Sequence, residues 1–155
     1  MRSEQIATET PIQIRPIGIV RSKIAEQQTG GFEGVESSIE LQPEFQDYLV
    51  GLEEYSHLQV IYWLSEMTET HALHVPQANP EVPQVGMFAC RCPQRPNPIG
   101  LTLATLVSIE GTTLHLRGLD AIDGTPIIDI KPYYPPYDVP KGEVRAPDWI
   151  WKLKY

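Results

Sequence analysis

The sequence has no apolar run long enough to cross a membrane, and only two of its 155 residues are cysteines. A transmembrane helix needs about 20 consecutive apolar residues, so we expect no membrane segment. The start of the chain also lacks the charged-then-apolar pattern of a signal peptide. Cys90 and Cys92 are two positions apart, a spacing at which a disulfide rarely forms. We therefore expect inert free thiols and a cytoplasmic protein.

Positive charge is also scarce, with 12 Lys and Arg residues against 20 Asp and Glu residues and a formal net charge of −8. This balance argues against a broad electrostatic surface for nucleic acid, so a polyanionic partner would need a local basic patch or a second subunit. The sequence contains no phosphate-binding glycine loop and no serine nucleophile elbow. His71 and His74, taken with the two cysteines, match no standard zinc spacing, so we predict no metal site.

Proline is abundant, with 15 residues, and three of them fall within residues 88–101, FACRCPQRPNPIGL. Each proline fixes its own φ and removes an amide donor, so this stretch can be neither a helix nor a central strand. We predict a stiff loop, the arginine–proline loop, that holds Arg91 and Arg95 at fixed points. Gly100 then allows a tight turn or a close approach of the backbone. A proline-rich connection with solvated arginines is the plainer interpretation.

Short apolar and alternating stretches predict a mostly β fold: a small single-domain β-barrel, residues 12–155, with one short helix and long Pro-rich loops. Residues 1–11 are expected to form a loose arm. The almost wholly apolar run at 57–64 predicts a central strand buried on both faces. Helical spacing predicts the helix over 43–52. In 101–110 the odd-numbered residues, apolar or threonine, share one face. The remaining predicted strands are 12–20, 35–41, 85–91, 112–119 and 127–130.

Two loops carry the chemistry that the sequence offers. One β-hairpin joins the arginine–proline loop to the turn Asp123-Gly124-Thr125-Pro126, so both loops can lie at the same end of the barrel. This arrangement would bring Arg91 and Arg95 near Asp120 and Asp123. Fixed cationic and anionic groups suit a zwitterionic ligand, whereas a surface cluster of ion pairs with little energetic value is the alternative.

These motifs resemble the signatures of a known family. The arginine–proline loop, Asp120-x-x-Asp123-Gly124-Thr125-Pro126 and Asp129-Ile-Lys131-Pro132-Tyr133 are similar to those of the TsaA-like (YaeB, TrmO) family. Further similar segments are 17–22, 51–58 and 145–149, so the resemblance covers nearly the whole chain in order.

The resemblance implies a β-barrel that binds S-adenosylmethionine without a Rossmann domain and works as a homodimer. It also implies methylation of N6 of threonylcarbamoyl-adenosine beside the anticodon of certain tRNAs. The bacterial tRNA enzymes of the family carry an additional C-terminal domain, which we do not expect here, and Cys92 stands where the family usually has serine. The cofactor contacts implied for this sequence are Gln27, Gln28, Thr29, Ser65, Glu66, Arg91, Leu101, Asp123, Gly124, Thr125 and Pro126.

We therefore predict an S-adenosylmethionine-dependent methyltransferase of tRNA adenine N6, with Asp123 and Arg95 as catalytic residues and Asp120 as the other candidate base. The protein is expected to be a homodimer, with tRNA as a possible partner. Two alternatives remain open: an S-adenosylmethionine-binding sensor without turnover, and a methyltransferase of a small molecule. A methyltransferase of a small molecule would not need a basic surface. Binding of tRNA that weakens steeply as the salt concentration rises would favour the tRNA enzyme over both alternatives.

Overall fold

Alternating apolar residues form six strands that close into a barrel. The computed structural model describes residues 11–155, so the arm predicted for residues 1–11 lies outside the described part except for its last residue. Two short strands form a separate two-stranded sheet. The barrel strands are β1 (Gly18–Ser22), β2 (Glu36–Leu41), β3 (His57–Trp63), β6 (Ile99–Glu110), β7 (Thr113–Arg117) and β8 (Pro126–Pro132), and the separate pair is β4 (Leu73–His74) and β5 (Val85–Gly86).

The order around the barrel is β1-β2-β7-β6-β3-β8, and every neighbouring pair is antiparallel. Because neighbours run in opposite directions, β1, β3 and β7 finish at the end where β2, β6 and β8 begin. The connections 23–35, 64–98 and 118–125 therefore lie at this one end, which we call the loop end, whereas the connection 42–56 lies at the other. The mostly β, small barrel expected from the sequence is confirmed.

The barrel core consists of the inward-facing residues of each strand. In β3, Leu58, Val60 and Tyr62 are buried, while the residues between them are partly exposed. The prediction that this stretch is buried on both faces is wrong, because only the inner side of the barrel is covered. Burial of each large aliphatic side chain contributes about 1.5–3 kcal/mol. The fully buried side chains include Val20, Ile39, Leu58, Val60, Leu114, Leu116, Leu119 and Ile127.

The apolar residues of β6 do not all share one face. Leu101, Leu103 and Val107 point outward and are about half exposed, at 47%, 50% and 49%. A bulge between Leu106 and Ser108 shifts the register of β6 against β7, so Ile109 packs against the core instead. The expected common face is thus divided between the two sides of the barrel. The three exposed residues form an apolar outer strip on β6.

The first predicted strand, 12–20, is too long. β1 begins only at Gly18, and Ile12 and Ile14 before it are exposed. Pro16 lies between these residues and β1, and a proline cannot donate to a strand ladder. The alternating pattern over residues 12–16 therefore reflects no buried face, and only Ile17 packs against the core.

The strand predicted over 85–91 is also wrong for most of its length. β5 covers Val85–Gly86 alone, and Met87–Ala89 form a turn of 3₁₀-helix. Both edges of β3 are already occupied by β6 and β8, so no edge of that strand is left for this stretch. Val85, Met87 and Cys90 pack instead into a second, smaller cluster, while Phe88 is exposed.

Helical structure in the described residues is short. The helix predicted over 43–52 is a 3₁₀-helix at Pro43–Leu49, followed by another at Leu52–Glu54. Between them Gly51 has a φ of 87°, which favours glycine. An α-helix of four residues, Pro135–Asp138, follows β8. Within residues 11–155 no helix is both long and apolar enough to span a lipid bilayer.

The polypeptide returns to the loop end after β8. Residues 148–155, which we call the strap, begin with a 3₁₀-helix at Asp148–Lys152. Trp149 packs against the small cluster that contains Met87 and the two cysteines. Trp149 therefore docks within this chain, whereas Trp151 is exposed.

Candidate functional site

The Asp-Gly-Thr-Pro turn is fastened to the end of β1. The amide of Gly124 donates to the carbonyl of Val20 at 2.9 Å, and the amide of Asp123 donates to the carbonyl of Ile24 at 2.7 Å. The Ser22 amide in turn donates to Oδ1 of Asp123 at 3.0 Å. The Asp123 carboxylate therefore fixes the start of the β1–β2 loop, and it does so from within the turn predicted to contact the cofactor.

The β1–β2 loop reaches the segment that follows β3. Nε2 of Gln27 donates to Oε2 of Glu66 at 3.3 Å, which joins two residues predicted to bind the cofactor. Nε2 of Gln28 donates to the carbonyl of Gly30 at 3.0 Å and so stays within its own loop. Thr29 and Ser65, beside them in the chain, are exposed at the same end of the barrel.

Arg91 lies against the beginning of β6. Its Nη2 donates to the carbonyl of Leu101 at 2.6 Å, a short bond to a charged donor. The Arg91 side chain is exposed, so the guanidinium also faces solvent at the loop end. The structure thus joins Arg91 and Leu101, another pair of predicted cofactor contacts.

Asp120 lies near Arg91 and next to the buried Tyr62. Burial raises the pKa of the Asp120 carboxyl, and the positive charge of Arg91 opposes part of this increase. The hydroxyl of Tyr62 donates to the Asp120 carbonyl at 2.5 Å and lies 2.9 Å from Oγ1 of Thr102. Burial raises the pKa of Tyr62 to about 12, so its phenol stays protonated as a donor. Of the four opposed charges predicted to meet here, Arg91 and Asp120 are near enough to influence each other without forming an ion pair, whereas Arg95 and Asp123 are bound elsewhere.

Arg95 is bound within its own loop. Its Nη1 donates to the carbonyls of Met87, Cys90 and Cys92 at 3.2, 2.8 and 3.3 Å. The ring of Phe88 lies 5.8 Å from the guanidinium carbon, a cation–π distance. These contacts hold the arginine–proline loop in shape, as expected of a stiff loop, and direct Nη1 of Arg95 toward the backbone.

The two cysteines form a disulfide, so the expectation of free thiols is wrong. Residues two apart in an extended chain project to the same side, and the Cα atoms of Cys90 and Cys92 lie 5.4 Å apart, a separation that a disulfide spans. Both side chains are buried beside Met87. Arg91 lies between the two bonded residues and points away from them toward β6.

Some of the predicted site residues therefore contact each other or a neighbouring strand directly, whereas others only lie at the same end of the barrel. Asp123 to Pro126 contact β1, Gln27 contacts Glu66, and Arg91 contacts Leu101, all at the loop end. A polar role for Tyr62 could not be predicted from the sequence pattern, because Tyr62 lies inside an apolar run. Its partner Gly100 was singled out correctly as a close approach: a Cβ there would collide with the Tyr62 ring.

Comparison with known proteins identifies the family. Residues 8–139 match the model of the tRNA-methyltransferase O N-terminal domain. A probable S-adenosyl-L-methionine-binding protein of Methanothermobacter thermautotrophicus is 43% identical over 135 residues, which are 84% of this chain and 96% of that protein. The tRNA (adenine(37)-N6)-methyltransferase of Mus musculus is 43% identical over 97 residues, which are 61% of this chain but 22% of the mouse protein.

Solved structures agree with this assignment. The crystal structure of TrmO from Pseudomonas aeruginosa has a TM-score of 0.70 and 30% sequence identity, and the match covers 88% of this chain and 62% of that one. Another TrmO crystal structure has a TM-score of 0.71 and 31% identity. The resemblance to the TsaA-like family, with its methyltransferases and its cofactor S-adenosylmethionine, is thereby confirmed at the level of the family. The chain belongs to the tRNA-methyltransferase O N-terminal domain family.

Proposed function

We propose that this protein is an S-adenosylmethionine-dependent methyltransferase that modifies N6 of an adenine in tRNA. The observation that carries the proposal is the convergence, at one end of the barrel, of the three loops that hold the family's signature residues. We extend the proposal to threonylcarbamoyl-adenosine beside the anticodon as the acceptor, as the resemblance implies. The chain spans 62% of the P. aeruginosa TrmO chain, so tRNA as its acceptor is part of the proposal.

The polar groups at the loop end fit the proposed cofactor. S-adenosylmethionine supplies a methyl group on a positively charged sulfur, together with an amino group and a carboxylate. Glu66 and Asp120 offer carboxylates to the positive groups, and Arg91 offers a guanidinium to the carboxylate. Gln27 and Thr29 add amide and hydroxyl groups for the remaining polar atoms. The donor set thus matches a zwitterionic ligand in sign and in variety.

The residues of this chain would act mainly by positioning. Holding the acceptor nitrogen in line with the methyl group can lower the barrier by about 7 kcal/mol or more. The catalytic roles predicted for Asp123 and Arg95 stay predictions, and the contacts of both side chains within the protein favour a positioning role. Asp120 is better placed to take the proton that the amine loses, because burial raises the pKa of its carboxyl and so makes it a stronger base.

The proposed acceptor is an RNA loop because its bases are accessible. A base in a single-stranded loop can enter a pocket without melting a helix. With a net charge of −8, the protein would bind RNA through the local cations Arg91 and Arg95 and not through a broad basic face. Lys131 is not part of this patch, since it lies along β8 away from the loop end and pairs with Asp129 at 2.7 Å. A cytoplasmic location, where tRNA is met, belongs to the same proposal.

We also propose that the protein is a homodimer that associates through the outer strip of β6. Leu101, Leu103 and Val107 expose apolar surface there. On the adjacent β3, Ile61 and Trp63 are paired with residues of β6 and only partly buried. A contiguous apolar face of this kind is typical of a protein–protein contact surface.

The decisive experiment measures binding and turnover separately. Calorimetric titration with S-adenosylmethionine, and with its demethylated product, should give micromolar binding at about one site per chain. Incubation with labelled cofactor and tRNA, with and without threonylcarbamoyl-adenosine, should then transfer label only to the modified tRNA. Binding without transfer to any RNA would instead support the sensor or the small-molecule enzyme. Absence of cofactor binding would contradict the proposal as a whole.

A further inference from the structure

Side chains from the long β3–β6 connection hold the backbone of the strap. Nε2 of Gln77 donates to the carbonyl of Lys154 at 2.8 Å, and the amide of Lys154 donates to Oε1 of Gln77 at 2.9 Å. Nδ2 of Asn79 donates to the carbonyl of Lys152 at 3.1 Å. The side-chain amide of Gln77 thus binds both the main-chain N–H and the main-chain carbonyl of Lys154. These hydrogen bonds do not depend on the side chain at position 154.

The residue that forms these hydrogen bonds is in a conformation that costs energy. Gln77 has a φ of 55° and Ala78 a φ of 49°, the only positive φ values among the non-glycine residues of the described chain. Residues with a Cβ adopt this region rarely, and they persist in it where the surrounding structure requires it. In this backbone conformation the Gln77 side chain reaches the strap, where its Nε2 and Oε1 both form hydrogen bonds.

The strap in turn lies against the loop predicted to bind the cofactor. The amide of Gly31 donates to the carbonyl of Tyr155 at 3.1 Å. At Gly30, where φ is 67°, a Cβ would lie 2.9 Å from the backbone carbonyl carbon of Lys154, so the two backbones are in direct contact. Gln27, Gln28 and Thr29 immediately precede this contact. The strap thus limits the positions that the cofactor loop can take.

We propose that Gln77 is a positioning residue of the cofactor site, which it controls by clamping the strap onto Gly30 and Gly31. The chain of contacts runs from Gln77 to Lys154, from Tyr155 to Gly31, and through the loop to Gln27, which meets Glu66. Trp149 anchors the other part of the strap beside Met87, whose carbonyl binds Arg95. The strap therefore links the cofactor loop to the arginine–proline loop. This inference rests on the proposed function, because it concerns the same cofactor site.

The test is Gln77→Gly in the full chain. Glycine accepts a φ of 55° without strain, and this relief offsets part of the cost of the two lost hydrogen bonds and of the freer unfolded chain, so the thermal midpoint should change little. Loss of both hydrogen bonds should nonetheless raise the Kd for S-adenosylmethionine by about tenfold. Amide hydrogen exchange over residues 27–34, measured without cofactor, should also become faster by a similar factor. Gln46→Ala is the matched control: Gln46 likewise donates to a backbone carbonyl, that of Gly111, but outside the loop end.

The outcomes separate this inference from the function on which it rests. If Gln77→Gly and the wild type show the same exchange over 27–34, the clamp is refuted, whatever the cofactor affinity. If exchange becomes faster but cofactor affinity stays unchanged, the strap holds the loop without positioning the site, and the inference is again wrong. If the wild type fails to bind S-adenosylmethionine, the proposed function is contradicted, while the exchange experiment still reports on the clamp. Equal effects in Gln46→Ala would also overturn the inference.

Discussion

Arg91 binds the backbone of Leu101 through a 2.6 Å hydrogen bond from Nη2 to the carbonyl oxygen. A bond from a charged donor is about twice as strong as one between neutral groups. It ties the arginine–proline loop to the first residues of β6, beside the buried Tyr62. The geometry of the loop end therefore depends on one guanidinium that is also exposed to solvent.

Arg91→Ala should weaken binding of S-adenosylmethionine by roughly tenfold or more. The variant loses a charged donor whose hydrogen bond is worth about 1.5–3 kcal/mol, together with the cation proposed to meet the carboxylate of the cofactor. Arg91→Lys keeps the charge but not the planar fork, so it should restore only part of the affinity. Calorimetric titration measures both. Arg15→Ala, which removes an exposed arginine paired with Glu44 outside the loop end, should bind like the wild type.

Arg95→Ala should reduce turnover of the acceptor more than cofactor affinity. Nη1 of Arg95 binds three carbonyls of the arginine–proline loop, so its removal loosens the surface proposed to meet RNA. Stability should also decrease by about 1–3 kcal/mol, because buried acceptors lose their donor. Steady-state kinetics and the cofactor Kd are compared in the same preparation. Equal losses in both quantities would contradict this division of roles.

Asp120→Asn should stabilise the fold at neutral pH while it slows methyl transfer. Burial raises the pKa of Asp120 above that of the unfolded chain, so ionisation costs stability as the pH rises through the folded-state pKa. Asparagine does not ionise. The advantage of the variant should therefore appear as the pH rises and vanish below the ordinary carboxyl pKa of about 3.9. Because the residue is partly exposed, we expect less than about 1 kcal/mol. Thermal unfolding at several pH values, with Asp47→Asn beside it, measures the difference.

Gly100→Ala should destabilise the protein by about 1–3 kcal/mol or more, because its Cβ would overlap the ring of Tyr62. For a chain of this size that corresponds to a decrease of roughly 2–4 °C in Tm per kcal/mol. Gly86→Ala is the matched control, since no atom lies within 4 Å of a Cβ built there and its φ is not positive. Similar thermal midpoints for the two variants would show that the close packing at Gly100 does not matter.

Leu103→Lys should convert the proposed homodimer into monomers. Leu103 lies in the middle of the outer strip of β6 and is half exposed in the single chain, so a lysine there fits the monomer but not an apolar interface. Sedimentation velocity measures the change in mass. Val50→Lys places the same charge on another exposed apolar residue and should leave the assembly intact. A wild type that sediments as a monomer would refute the interface.

The sequence predicted the barrel and the meeting of its signature loops because both follow from local chemistry. Alternation in β2, β7 and β8 reports a half-buried sheet, and the prolines of residues 88–101 exclude regular structure whatever surrounds them. The turn at Asp123–Pro126 is likewise set by its own residues, since Gly124 has a φ of 82°. These features need no knowledge of the tertiary fold.

The errors arose where tertiary partners decide the outcome. Residues 85–91 have the composition of a strand but no strand edge left to pair with, and the apolar residues of β6 reverse their direction at a bulge. The disulfide between Cys90 and Cys92 depends on how the loop is folded and not on spacing statistics. The clamp at Gln77 could not have been foreseen, because its partner is 77 residues away in the sequence.

The barrel places the loops that carry the signature residues at one end and the β6–β7 turn at the other end. The end opposite the loop end holds the β6–β7 turn at Gly111, where φ is 59° and a Cβ would meet no atom within 4 Å. Residues inserted there would lengthen a turn that none of the signature loops contacts. That turn is therefore the natural place for an affinity tag or a fluorophore. A protein attached to a surface through a tag at this position would have its loop end facing the solution.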